Sequence, residues 1–176
     1  MKTCALYGFI SALAQAFLYL ALFFLGFHSS VEKLPAAQWI GGVVALVIAV
    51  GFTALGVKAR RNEVPESEPF GYGRAVWAGV VITFIASVLT SVFSYCYNAF
   101  INPGFSDILL QDANNKLEAK GLTGAGLDKM EGLNRTMFTP VPEAVIGLVL
   151  GVILGVVIAL IVAAVLKRPE PAKVQA

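Results

Sequence analysis

The sequence predicts an all-α fold: an integral membrane bundle of four transmembrane helices, with a partly helical extracytoplasmic segment between helices 3 and 4. Two observations predict it. First, the 176 residues are 57% hydrophobic and only 14% charged, against roughly 25% charged in an ordinary soluble domain. Second, the charges are segregated. The stretches 3–31, 34–57, 75–106 and 144–166 contain none, so all 13 basic and 11 acidic side chains sit in the remaining 68 positions. At about 1.5 Å per residue, each charge-free stretch is long enough to cross a hydrocarbon layer of about 30 Å as a helix. The same hydrophobicity excludes disorder. A net charge of +2 without a basic cluster leaves no electrostatic footprint for nucleic acid.

A single membrane domain, 1–176, follows. Its spans fall at about 5–27, 37–57, 75–101 and 143–166, joined by an inner loop 58–74 and an outer helical segment 102–142, and ended by a short cytoplasmic tail 167–176. Pro35, Pro103, Pro140 and Pro142 punctuate the span ends, where a missing N–H does least harm. The first apolar run continues unbroken from Phe17 to Phe27, beyond the core of a secretory signal, and reads as an uncleaved helix. Nothing before Cys4 resembles a lipid-attachment site. The loop 58–74 is irregular, and its Gly71 and Gly73 lack the rest of a phosphate-cradling pattern. In the outer segment, Ser106 is expected to cap a first helix reaching Gly121. A second, Leu127 to Phe138, carries Leu127, Met130, Leu133 and Met137 at helical spacing, suited to rest on the membrane surface or to cap the bundle.

Cations set the orientation, because Lys and Arg stay preferentially in the cytoplasm. Eight (Lys2, Lys58, Arg60, Arg61, Arg74, Lys167, Arg168 and Lys173) lie on the side of the termini. Five (Lys33, Lys116, Lys120, Lys129 and Arg135) lie opposite, among seven acids. Both termini are therefore expected in the cytoplasm. Tyr7, Tyr72 and Trp77 are expected at the inner headgroup level, with Trp39, Tyr95 and Tyr97 at the outer one.

Two stripes stand out within the spans. Helix four repeats a small residue every fourth position, Gly147, Gly151, Gly155, Ala159 and Ala163. In lipid such a face lets backbones approach, which is a main source of helix association. These residues are assigned to helix packing, within the chain rather than across a dimer, with Gly8, Ala12 and Ala16 or Gly41, Ala45 and Ala49 as matching small faces. Helix three carries Thr83, Ser87 and Ser91 on one row and Thr90, Ser94 and Asn98 beside it. Two polar rows imply a face turned to protein or to water. With Gln15, expected to bond across to Thr83 or Ser87, they make up a candidate polar face: Gln15, Thr83, Ser87, Ser91, Ser94 and Asn98. The plainer account is hydrogen-bonding glue between helices; the sharper one is a polar pathway.

No Lys, Arg or carboxylate is expected inside any of the spans, and the lone His28 lies at the outer end of helix one with no metal-spaced partner, so it reads as an interfacial residue. Cys4 and Cys96 belong to opposite faces and read as free thiols. No catalytic, cofactor or metal site is expected, and the chain reads as no enzyme.

The chain as a whole resembles the uncharacterised bacterial membrane family known as domain of unknown function 4199. The resemblance rests on KARR after the second span, PFGYGRAVWAG leading into helix three, SYCYNAFINPGF at its exit, KGLTGAGLDKMEGLNRTMFTP feeding helix four, and the closing Leu166-Lys167-Arg168. It implies a multi-pass protein of the bacterial cytoplasmic (inner) membrane and carries no activity, cofactor or catalytic residue. Two roles remain open: a non-enzymatic scaffold or regulatory subunit, or a small channel or transporter component using the polar face of helix three. Expected partners are the lipid bilayer and a second copy or another membrane protein, but not nucleic acid. A reporter active only in the cytoplasm, fused to the C-terminus, is expected to give signal; silence there would reverse the orientation.

Overall fold

A computed structural model describes residues 1–168; residues 169–176 of the expected tail, Lys173 among them, lie outside the described residues. Four helices are long and apolar enough to cross a membrane: α1 (Lys2–Phe24), α2 (Leu34–Asn62), α3 (Tyr72–Cys96) and α6 (Pro140–Leu166). Two shorter ones, α4 (Phe105–Ala119) and α5 (Ala125–Met137), form a hairpin between α3 and α6. The fold is all-α, an apolar helical bundle, and among the described residues one isolated β-bridge pairs Phe70 with Arg168.

That bridge belongs to a clasp at the end of the bundle where the chain begins, here the terminal end. The Arg168 guanidinium donates to the carbonyls of Val64, Pro65 and Glu68 at 3.2, 2.7 and 2.9 Å, and Arg61 donates to the Leu166 carbonyl at 3.2 Å. These cations satisfy carbonyls that the helix end and the loop leave open. The Thr3 hydroxyl donates to the Glu63 carboxylate, which also pairs with Arg60. The starts of α1 and α3 therefore meet the ends of α2 and α6, and the four long helices alternate in direction. Below the clasp, Cys4, Val57, Phe70, Ala78, Ile82, Ile158 and Val162 form one packed core. A second core, Leu34, Tyr97 and Phe105, lies at the opposite, hairpin end.

The most extensive packing is α3 against α6, and its register explains both stripes. A Cβ added to Gly79 would lie 2.8 Å from that of Ala159; one on Gly155 would lie 2.7 Å from Thr83 Cβ, and one on Gly151 3.0 Å from Ser87 Oγ. The small row of α6 thus fits the hydroxyl row of α3, rather than the small rows of α1 or α2. Gly8 of α1 also sits on α3, its added Cβ 2.7 Å from the Ile82 carbonyl, whereas Gly41 of α2 lies against Leu22. Gly147 departs from its expected place in the seam: an added Cβ there would meet nothing within 4 Å. Toward the hairpin end the two helices are held instead by Ser91, whose hydroxyl donates to the Ala144 carbonyl at 2.7 Å.

Several expectations change in the same region. The cap of α4 falls at Gly104 with no side-chain bond, and Ser106 donates instead to Glu143 at 3.4 Å. Tyr97 is fully buried within the bundle, while Trp39 is 73% exposed. In the hairpin, Gly121 and Gly124 take positive φ, Asn134 donates to Asn114 at 2.9 Å, and α5 buries none of its residues, Leu133 and Met137 included.

The seam predicts a position-dependent response. Gly155→Leu is expected to destabilise the protein by about 1–3 kcal/mol through overpacking against Thr83. Gly147→Ala is expected to be neutral or to stabilise by up to about 1 kcal/mol, because it adds helix propensity without a clash. Unfolding in mixed detergent micelles, followed by circular dichroism at several protein concentrations, checks both. A loss for Gly155→Leu that grows on dilution would place the seam between copies instead.

Candidate functional site: a polar-lined cavity inside the bundle

Between the two cores the long helices do not fill the space. A cavity of about 600 Å³ lies among α1, α2, α3 and α6, bounded toward the terminal end by Thr53, Thr83 and Ile158 and toward the hairpin end by His28, Phe105 and Glu143. Five of the six residues of the expected polar face line it: Gln15, Thr83, Ser87, Ser91 and Ser94. Of the small-residue row, Gly147, Gly151 and Gly155 line it too, while Ala159 is fully buried in the seam below. The hydroxyls divide into two kinds. Thr83 donates back to the Gly79 carbonyl at 3.1 Å and Ser91 to Ala144, so both are spent on backbone. The buried Thr90 hydroxyl, on the flanking row, has no partner.

Gln15 does not reach α3. Its amide nitrogen turns along its own helix to the Ser11 hydroxyl and carbonyl at 3.3 and 3.4 Å. The reason is the cavity itself, which separates Gln15 from Thr83 and Ser87 at that depth.

The hairpin end of the cavity carries groups that the linear sequence hid. After Phe24 the chain closes α1 with the paired bonds Gly26 N to Phe23 O and Phe27 N to Leu22 O, both 2.9 Å, a C-terminal motif that needs the positive φ of Gly26. This tight turn folds His28 inward, so it is 4% exposed rather than interfacial. Its ring stacks on Phe105 with centroids 4.3 Å apart and meets the edge of Tyr19 at 4.8 Å. Nδ1 lies 2.7 Å from the Tyr97 hydroxyl. Asn102 donates to that same oxygen at 3.1 Å, so the Tyr97 proton is free to go to Nδ1. The pattern assigns the neutral tautomer with its hydrogen on Nε2. Burial agrees, pushing the His28 pKa down from 6.5 to about 4.

Tyr97 and Asn98 owe their positions to a π-helical turn over Tyr97–Ile101, closed by Asn102 N to Tyr97 O at 2.8 Å. Pro103 keeps Asn102 out of helical geometry, and the helix stops there. The wide turn buries both Tyr97 and Asn98, at 0% and 1% exposure. Asn98 is therefore not on the cavity wall with the other polar-face residues. Its amide faces Glu143 without reaching hydrogen-bond geometry, and neither its nitrogen nor its oxygen has a partner.

Glu143 corrects the expectation that the spans hold no carboxylate. Because Pro140 and Pro142 are accommodated in the first turn, α6 begins before Glu143, which becomes the one charged residue lining the cavity among the described residues. Charge counting missed it, since it sits at the border of an uncharged run. Among the described residues no His/Cys/Asp/Glu group could hold a metal ion, and Cys4 and Cys96 are free thiols.

Taken together, the helices and the hollow define a class: a polytopic, all-α membrane protein with a largely apolar cavity that carries a few polar groups. The chain belongs to the DUF4199 family, whose model, described as a protein of unknown function, matches residues 6–168. No curated protein and no solved structure matches the chain.

The sequence has one histidine, so a single imidazole resonance reports its titration by NMR. We expect a midpoint near 4 rather than 6.5. The unfolded chain takes up this proton below about 6.5 and the folded chain only near 4, so stability is complete above the first value and declines as pH falls toward the second. Between pH 7 and pH 5 the loss is about 2 kcal/mol. A midpoint at the ordinary value would mean that the ring is solvated.

Proposed function

We propose that this protein is a non-enzymatic, ligand-binding membrane subunit, closer to a transporter component than to a scaffold, which holds a small molecule in the cavity beside α3. The carrying observation is the cavity. Its volume falls within the ~300–1,000 Å³ range of small-molecule sites, and it combines an apolar wall with a few polar groups, Gln15, Ser87, Thr90, Ser94 and Glu143. A scaffold role draws less support, because the small-residue row that suited assembly is occupied within the chain by α3. The packed core below Thr53 and Ile158 makes the site a blind pocket in this conformation; passage to the other side requires α3 and α6 to separate along their seam. The cation asymmetry supports a setting in the bacterial cytoplasmic membrane with both termini inside, which directs the hairpin end and the Glu143 rim outward. A homo-oligomer or a membrane-protein partner fits a subunit of this size.

Single cysteines in a background lacking Cys4 and Cys96 test the cavity. With a membrane-impermeant thiol reagent, Ser94→Cys, Ser91→Cys and Ser87→Cys are expected to react in that falling order, from rim to interior. Val162→Cys in the packed core and Val149→Cys on the outer face of α6 serve as unreactive controls. If the three serine positions are as protected as Val162→Cys, the hollow is closed and the binding reading fails.

A further inference from the structure

The cavity has a side as well as a floor and a rim. Gly42 of α2 and Gly147 of α6 both line it, yet a Cβ added to either would meet nothing within 4 Å. Leu46 and Leu154, on the same two helices, also line it and are 45% and 50% exposed. No residue from Gln38 to Val50 of α2 is buried. Toward the hairpin end, α2 and α6 therefore stand apart, and the gap opens sideways onto the surroundings of the bundle. For helices of this hydropathy those surroundings are hydrocarbon. A ligand entering here must present an apolar surface to Leu18, Leu46, Leu154 and Ile158.

The head of such a ligand is selected at the hairpin end. Among the described residues Glu143 is the only charged one lining the cavity, and none of the described Lys or Arg residues pairs with it. Its one hydrogen bond, from Ser106, is long at 3.4 Å. Asn98, 1% exposed, faces it with both amide atoms unpartnered. A carboxylate at the edge of hydrocarbon needs a compensating charge, and none of the described residues supplies one. With no described Lys or Arg in the lining, an anionic head such as a phosphate or a fatty-acid carboxylate would face the Glu143 charge with no cation to offset it. Neutral His28, which also lines the cavity, carries its hydrogen on Nε2. It adds no positive charge.

Building on the proposed function, we propose that the cavity binds a cationic amphiphile: a single aliphatic chain entering through the gap between α2 and α6, with a protonated amine meeting the Glu143 carboxylate. Charge-assisted bonds of this kind are among the stronger ones available in a partly dry site. From Thr83 to Ser94 the helical rise gives the cavity a depth of about 16 Å, which takes an extended chain.

The test compares three probes of equal chain length, dodecylamine, dodecanol and dodecanoate. Binding to the full chain in nanodiscs of zwitterionic lipid is measured at pH 7 by native mass spectrometry, with empty nanodiscs as the partition control. Dodecylamine is expected to bind at least tenfold tighter than dodecanol, and dodecanoate to bind most weakly. Glu143→Gln is expected to bring amine and alcohol within about twofold while leaving the alcohol unchanged. Glu143→Asp, which keeps the charge, is expected to retain the preference and covers the case in which Glu143→Gln does not fold. Gly147→Trp, which fills the gap, is expected to weaken all three. Equal binding of amine and alcohol, a preference for dodecanoate, or a preference that survives Glu143→Gln would overturn the headgroup assignment and leave the cavity reading standing. If no probe binds and the serine-to-cysteine positions are also protected, the cavity reading falls with it.

Discussion

A helix in lipid gains little by burying leucine against leucine, since acyl chains offer nearly the same contact. What α6 offers α3 is backbone proximity, and the pairs Gly79 with Ala159, Thr83 with Gly155 and Ser87 with Gly151 provide it. Most of the architecture depends on that approach. It fixes the register of the most extensive helix pair and turns the hydroxyl row of α3 inward. Toward the hairpin end the pair is held by the Ser91 hydroxyl on the Ala144 carbonyl, and the gap opens between α6 and α2. The cavity begins where the seam ends, and Gly147 marks the transition: same spacing, same residue, but nothing opposite.

The hairpin end shows how few polar groups a membrane interior tolerates and how they are handled. His28, Tyr97 and Asn102 satisfy one another in a short relay walled by Tyr19 and Phe105, leaving one imidazole N–H over. Thr83 and Ser91 spend their hydroxyls on carbonyls. Against this background the unsatisfied groups are conspicuous: Thr90, both ends of the Asn98 amide, and Glu143 with one long bond. Buried polar groups are normally partnered, and these cluster around one hollow. At the terminal end Arg168 occupies three loop carbonyls through one guanidinium nitrogen, its buried Nε is left unpartnered, and the core beneath it is packed. The asymmetry between a clasped end and a hollow end gives the binding reading a direction.

Local composition determined what depends on local composition. The four apolar helices follow from charge-free runs, because crossing hydrocarbon is a requirement on consecutive residues. The inward roles of Thr83, Ser87 and Ser91 follow from a four-residue period, because side chains one helical turn apart share a face. The glycines at 121 and 124 separate α4 from α5 because they can adopt a positive φ. Partner choice was not legible. Gly8, Ala12 and Ala16, or Gly41, Ala45 and Ala49, carry the same spacing as the face that α6 uses, and a period cannot distinguish one small stripe from another. His28 looked interfacial by depth alone, and only the reversal of the chain at Gly26 brought it beneath Tyr19 and against Tyr97. Glu143 escaped the charge count because it borders the uncharged run 144–166.

By itself, then, the sequence determined the class of this protein, the number and rough extent of its crossings, and which faces of α3 and α6 are not turned to lipid. Each is a property of neighbours along the chain or one turn apart. The tertiary structure alone decided that those two faces meet each other, that their seam stops at Gly151, and that His28, Asn98 and Glu143, far apart in sequence, gather at one end of a hollow. Those outcomes depend on where whole helices cross and diverge, a balance of long-range packing that no single segment encodes.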